Sequence, residues 1–328
     1  MQNSPALDAH GLVKTYPGGR GRPPVTALAG LSLTARTGSV LALLGPNGAG
    51  KSTTVKILST LSRADAGTAT VAGHDVAHRP DQVRRAIGLV AQRSVVDPMD
   101  TGTENLVLAG RLHGLSAGEA RTRAAELLDV FGLADAAHRR AGTWSGGMVR
   151  KLDVAVGLVH RPQVLFLDEP TTGLDPEARA ELWAQIERLV RLEQVTVLLT
   201  THYLDEADRL ADQVVIVDHG RVVAEGTPDE LKSALAGDGL AVELGLGHDA
   251  GRAVDAARRV AGLADVTVDG ATLRARAARG AALLPPLIAA LEEAGVRVEA
   301  ASVARPGLDD VYLRHTGRSM AAMAERAA

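Results

Sequence analysis

Short apolar runs alternate with longer stretches of helical period over roughly the first 235 residues. Val40-Leu-Ala-Leu-Leu44, Ile87-Gly-Leu-Val-Ala91, Val164-Leu-Phe-Leu167, Val195-Thr-Val-Leu-Leu199 and Val214-Val-Ile-Val217 are nearly free of polar residues. That is how strands read when both faces of a sheet are covered. Runs of this kind separated by helices predict an α/β fold with a largely parallel sheet. Between Gln92 and about His160 the period turns mostly helical, as over Ala117 to Phe131, and predicts a helical subdomain inserted in that core. The Gly18 to Pro24 segment punctuates the early strands.

After Gly237-Asp-Gly239 the pattern changes. It predicts strand 241–246, helix 250–260, strands 265–268 and 272–275, helix 283–294 and strand 296–301. This β-α-β-β-α-β order is that of a small ferredoxin-like α+β domain. The expected domains are therefore 1–237, with the helical subdomain near 93–160, then an accessory domain over 240–315. A tail, 316–328, is expected to be frayed or a short helix. The Leu308 to Leu313 segment suggests a surface that docks on a partner copy and supports a dimer.

Composition narrows the class. With 328 residues and 46% apolar content the chain can bury one large core and a smaller one. A net charge of -3 and no block of basic residues give no electrostatic case for nucleic acid. Cysteine is absent, so disulfides and thiolate metal sites are excluded. No secretory leader is expected from Met1 to Thr15. Every apolar run falls well short of the ~18 to 20 residues that span a bilayer. If the protein serves a membrane, a partner must do the spanning.

The sharpest chemistry follows the first of the apolar runs. Gly45-Pro46-Asn47-Gly48-Ala49-Gly50-Lys51-Ser52-Thr53 is a complete phosphate-binding loop, placed between a predicted strand and a helix-forming run. Its glycines let successive backbone N–H groups turn toward one phosphate, with a helix N-terminus behind them. Lys51 adds a point charge over the β/γ-phosphates, and Ser52 offers a hydroxyl to Mg²⁺. Asp168 and Glu169 end the apolar run from Val164, where the loops of a parallel sheet form a ligand crevice. Asp168 is expected to hold Mg²⁺ and Glu169 to take a proton from the attacking water. Ser145-Gly146-Gly147 opens a helical run and reads equally as a second anion site or an ordinary N-cap. His74 and His78 flank Asp75 in a turn-like segment without further ligands, so they are not taken as a metal site.

Ser145-Gly146-Gly147, set between a phosphate loop and Asp168-Glu169-Pro170, resembles the signature of the ABC-type ATPases. The resemblance implies roles for four more residues. Gln92 matches the Q-loop, which touches Mg²⁺ and the membrane partner. Asp175, in Gly173-Leu174-Asp175, matches the D-loop between two nucleotide sites. His202 matches the switch histidine on the γ-phosphate, and Tyr16 the aromatic that stacks on adenine. Trp144 stands where the general pattern has Leu, and Met148 where it has Gln.

Those departures, together with Thr101-Gly-Thr-Glu-Asn105 and Pro306-Gly-Leu-Asp-Asp-Val-Tyr-Leu313, are similar to the daunorubicin-resistance ATP-binding subunit family. That likeness covers nearly the whole chain. It implies an ATP- and Mg²⁺-dependent ATPase that acts as a homodimer and powers efflux of a drug, antibiotic or other lipophilic compound. The partner implied is a polytopic membrane permease on a separate chain, and the place is the cytoplasmic face of the membrane. The alternatives are a soluble ABC-type ATPase without a permease, acting in repair, on the ribosome or as an ATP-dependent drug-binding protein, and a P-loop kinase or GTPase, which would leave the signature and His202 unexplained. Repair members of the soluble kind carry a long coiled-coil insertion and ribosome-acting members two ATPase units, neither of which is present.

Overall fold

The computed structural model describes residues 5–18, 23–235, 237–245, 247, 249–304 and 306–317. The elements of its first part run β1 (Leu7–Tyr16), β2 (Val25–Ala35), β3 (Val40–Leu44), α1 (Lys51–Leu58), β4 (Ala66–Val71), β5 (His74–Asp75), α2 (Pro80–Ala86) and β6 (Ile87–Val90). There follow α3 (Gly102–Leu112), α4 (Ala117–Val130), α5 (Gly146–Leu158), β7 (Val164–Asp168), α6 (Pro176–Glu193), β8 (Thr196–Thr201), α7 (Leu204–Leu210), β9 (Gln213–Asp218) and β10 (Arg221–Gly226). The last part holds α8 (Pro228–Ser233), β11 (Asp238–Leu244), α9 (Ala250–Arg258), β12 (Leu263–Asp269), β13 (Thr272–Ala277), α10 (Gly280–Glu293), β14 (Val298–Ala304) and α11 (Leu308–Thr316). Contacts divide the chain between Pro228 and Asp229 into two compact units.

In the first unit a six-stranded sheet has the order β10-β9-β3-β8-β7-β6. Strands β9, β3, β8, β7 and β6 are mutually parallel, and β10 returns antiparallel to β9. Alternation along these strands feeds two cores. Val40, Leu165, Leu167, Val197 and Leu199 join a core with α3 to α6, including Leu106, Leu127, Phe131, Leu152 and Ile186. Leu41, Leu43, Val164, Phe166 and Leu198 point the other way, toward Leu7, Leu12, Leu28 and Ile57. Every side chain of β3 is therefore buried, which accounts for its unbroken apolar sequence.

The second of those cores is roofed by a separate antiparallel sheet, β2-β1-β4-β5. The apolar pattern did not reveal this layer, because β1 and β2 alternate buried with half-exposed residues and carry few strong apolar runs. The Gly18 to Pro24 turn lies partly outside the described residues. On the helical side Thr101 with Glu104 and Ser116 with Glu119 form capping boxes that start α3 and α4. Helix α5 lies close on β6: a Cβ on Gly88 would strike the Gly157 carbonyl, so only glycine permits this approach.

The second unit has sheet order β12-β13-β11-β14, all pairs antiparallel, with α9 and α10 contributing Ala253, Ala257, Leu287 and Leu291 to its core. This is the ferredoxin-like arrangement, with element bounds a few residues from those expected. Leu308, Val311 and Tyr312 are buried in this chain. Those three side chains are therefore not available to a partner copy, contrary to the expectation of a docking surface built on them. Residues 318–328 of the expected tail lie outside the described residues.

Candidate nucleotide site

Because β3, β6, β7 and β8 run parallel, the residues that follow them collect at one edge of the sheet. The phosphate loop follows β3, Gln92 follows β6, Asp168 ends β7 with Glu169 next after it, and His202 follows β8. The loop enters α1 through Gly50, whose φ of 112° is open to glycine and strained for other residues. It is also wedged in place: a Cβ on Gly50 would lie 2.6 Å from the Ala27 carbonyl oxygen and 2.7 Å from a Leu28 methyl. On its other flank Gly220 N–H donates to Ala49 O, and Ala29 N–H to Gly220 O, each at 2.9 Å.

Lys51 is 4% exposed and folds back into the loop. Its Nζ donates to Gly45 O at 2.6 Å and Pro46 O at 3.1 Å, and lies 3.4 Å from Glu169 Oε1. Burial pulls the ammonium's pKa down, while the Glu169 and Asp168 carboxylates oppose that shift. Asp168 Oδ1 accepts from Thr200 Oγ1 at 2.6 Å and from Ser52 Oγ at 3.2 Å. The hydroxyl and the carboxylate expected to hold Mg²⁺ thus meet at one point. No group of three His, Cys, Asp or Glu side chains converges as ligands among the described residues. A hydroxyl and one carboxylate suit Mg²⁺, which keeps waters and phosphate oxygens in most of its positions.

Glu169 is the most constrained residue of the site. Its φ of 48° is left-handed, a conformation costing a non-glycine residue about 1–3 kcal/mol unless its surroundings enforce it. Its carboxylate accepts from Gln92 Nε2 at 2.8 Å and lies 3.5 Å from His202 Nδ1. The neighbouring His202, then the Lys51 ammonium and the Gln92 amide, hold its pKa down to about 2 against the opposing effect of burial. With Gln92 Nε2 so engaged, Oε1 is the end of that amide left for a metal. His202 also packs against Tyr203, with ring centroids 4.2 Å apart.

The remaining expected residues sit apart from this cluster. Tyr16 ends β1 opposite Val25, two residues before Ala27, the residue that abuts Gly50. The Lys14 ammonium lies 5.6 Å from its ring centroid. Ser145 caps α5, its hydroxyl accepting from Met148 N–H at 3.3 Å, and Asp175 caps α6 by accepting from Ala178 N–H at 2.9 Å. Ser145, Gly146 and Asp175 are exposed, and no hydrogen bond joins Ser145 or Asp175 to Lys51, Glu169 or His202.

Three polar residues went unread in the sequence. Arg150, in α5, places its guanidinium among the backbone carbonyls of Ala91, Asp168 and Pro170. Asp153, one turn on, accepts from Ser94 Oγ and Val95 N–H at 3.0 Å each. Glu206 is fully buried and accepts from Thr171 Oγ1 and Trp183 Nε1 at 2.9 Å each. The available signal was spacing: Arg150, Asp153 and Gly157 recur at three and four residues, on the helix face that meets the sheet.

Comparison with known proteins gives a consistent picture. A family model described as ABC transporter matches residues 28–172. The daunorubicin/doxorubicin resistance ATP-binding protein DrrA of Streptomyces peucetius is 48% identical over 96% of this chain and 94% of its own length. The linearmycin resistance ATP-binding protein LnrL of Bacillus subtilis is 35% identical over 90% of this chain and 95% of its own. Among solved structures, the ATP-binding cassette MJ0796, dimeric with ADP and Pi after hydrolysis, aligns with a TM-score of 0.61 at 26% identity, covering 67% of this chain and 98% of that one.

Proposed function

Since the chain belongs to the ABC transporter ATP-binding family, in its drug-resistance branch, we propose that it hydrolyses ATP to drive efflux of a drug, antibiotic or other lipophilic compound through a separate membrane permease. The observation that carries this reading is the convergence of Lys51, Gln92 and His202 within 3.5 Å of the Glu169 carboxylate at the end of the parallel strands. The loop amides and Lys51 bind the β/γ-phosphates, replacing the contact that Lys51 now makes with Glu169. Ser52, Asp168 and the Gln92 amide oxygen would hold Mg²⁺, which when bound would supply positive charge to offset that on the phosphate oxygens. Glu169, freed from Lys51 and already ionised, accepts a proton from the attacking water. His202 contacts the γ-phosphate and Tyr16 stacks on adenine.

Ser145 to Gly147 and Asp175 serve the nucleotide of a second copy, whose own signature completes this site in a head-to-tail sandwich. The two sites close on ATP and open after hydrolysis, because the γ-phosphate is bridged only in the closed state. The permease contact lies beside Gln92. Val95 and Met99, just beyond it, are each 66% exposed, and Leu108 and Leu112 of α3 are exposed as well. Large apolar side chains left exposed so close together in sequence favour a protein partner. No helix among the described residues is long and apolar enough to cross a membrane, which fits spanning by another chain and a peripheral place at its cytoplasmic face.

A Glu169→Gln variant tests the chemistry. ATP binding is expected to persist while turnover falls on the order of 10²–10⁴-fold, with the dimer trapped in ATP. Turnover at the parent rate would overturn the assignment. Purifying the tagged variant from membranes tests the partner: a polytopic membrane protein should come with it, and recovery of soluble proteins alone would count against an exporter.

A further inference from the structure

Arg150 is 8% exposed, and its guanidinium faces four carbonyl groups. Nε donates to Pro170 O at 2.7 Å and Nη1 to Ala91 O at 2.7 Å, while Nη2 reaches Asp168 O at 3.3 Å and Glu169 O at 3.5 Å. Three successive carbonyls across Asp168-Glu169-Pro170 therefore turn toward one cation, as does the carbonyl just before Gln92. The Asp153 carboxylate, 3.8 Å away, is the nearest acidic side chain paired with it. On the opposite side Thr200 O and Oγ1 accept from Glu169 N–H at 3.1 and 3.0 Å. Glu169, in its left-handed conformation, is thus gripped through its backbone from both sides. Only a planar fork of fixed donors meets so many acceptors at once, and the compact ammonium of lysine does not.

We propose that Arg150 is the positioning residue for the catalytic carboxylate. It holds the strained Glu169 backbone, fixes Gln92 relative to it, and ties both to the helix whose first turn is Ser145 to Gly147. A shift of α5 on closure is then transmitted to Glu169 through one guanidinium. Arg150 touches neither nucleotide nor water in this scheme. The inference rests on the reading of Glu169 as the base.

The test compares the full-length parent with Arg150→Lys, Arg150→Ala and Glu169→Gln, measuring ATP turnover, ATP binding and melting temperature. A carboxylate misplaced by a fraction of an ångström to 1 Å predicts that Arg150→Lys loses roughly ten- to a hundredfold in kcat. ATP affinity should stay within about twofold, the split that marks a loss confined to the chemical step. Arg150→Ala leaves four carbonyls unpaired, and if it does not fold, Arg150→Lys decides. Parent-level kcat in Arg150→Lys overturns the proposal, and so does a loss of kcat matched by equal losses of ATP binding or melting temperature, which marks a residue that only stabilises the fold. If Glu169→Gln is inactive while Arg150→Lys is at parent level, only this inference fails. If Glu169→Gln turns over normally, the reading of the base fails with it.

Discussion

The phosphate-loop side of the site and the signature side are built in opposite ways. Around Lys51 and Glu169 the expected side chains, all but Gln92 buried or half-buried, are bonded to one another or to the loop: Lys51 to the loop carbonyls, Gln92 to Glu169, Ser52 and Thr200 to Asp168. Ser145, Gly146 and Asp175 lie exposed, and the two capping side chains satisfy only their own helices. A residue whose partners lie in its own chain is preorganised by folding. One left exposed with a helix N-terminus behind it is available to something outside, and in the sandwich proposed above a second copy would supply that something.

The largest effect that could break this contrast comes from mixing variants. Lys51→Met and Ser145→Arg should each lower turnover by roughly 10²–10³-fold when all copies carry the same change, the scale seen when a single charge-stabilising donor is removed. In a mixed dimer one site collects both defects and the other is intact, so equimolar mixing should restore a measurable fraction of parent turnover. Mixtures as inactive as their components would mean that the two sides belong to one chain.

A smaller effect tests how α5 is seated without touching either side. Gly88→Val forces a branched side chain into the space of the Gly157 carbonyl and should cost about 1–3 kcal/mol, or more if the backbone cannot give. Denaturant unfolding measures it, and an unchanged midpoint would show that helix and sheet part more easily than the close approach implies.

The smallest effect concerns pH. Glu169, held at about 2, keeps its charge across the range in which enzymes are assayed. On the helical side His160 stacks on His113 at 3.7 Å and its Nε2 lies 2.9 Å from Ile87 O. Burial first, then the neighbouring His113, lowers its pKa to about 4. The unfolded chain therefore binds the proton more readily between its ordinary value and about 4, and stability is lost as pH falls through that window. After allowance for partial exposure the loss is of order 1–2 kcal/mol. His160→Gln should flatten the pH dependence of melting between pH 6.5 and pH 4, and an unaltered slope would remove His160 as its source.

Legibility followed the same division. Strands β3, β7, β8 and β9 were plain because burial on both faces leaves an unbroken apolar run, and their shared direction already implied one edge carrying Lys51, Asp168 and His202. The roofing sheet of β1, β2 and β4 was not, since its half-exposed strands mix threonine, glycine and alanine with a few leucines. Glycine-rich and acidic motifs announce themselves because few other backbone shapes need them. Arg150 did not, because a lone arginine on a helix is ordinarily solvated, and only the three-dimensional path of the Asp168 to Pro170 backbone gives it acceptors. The roles of Gln92, Asp175 and Tyr16 came from family resemblance and not from their own chemistry.

The wedging of the phosphate loop between Ala27 and Gly220 bears on the thermodynamics of nucleotide capture. Fixing one residue's backbone costs about 1–2 kcal/mol of entropy, and here that ordering is completed when the chain folds. ATP then meets a cradle already shaped, so little of its interaction energy is diverted to organising the loop, and more remains for drawing two copies together.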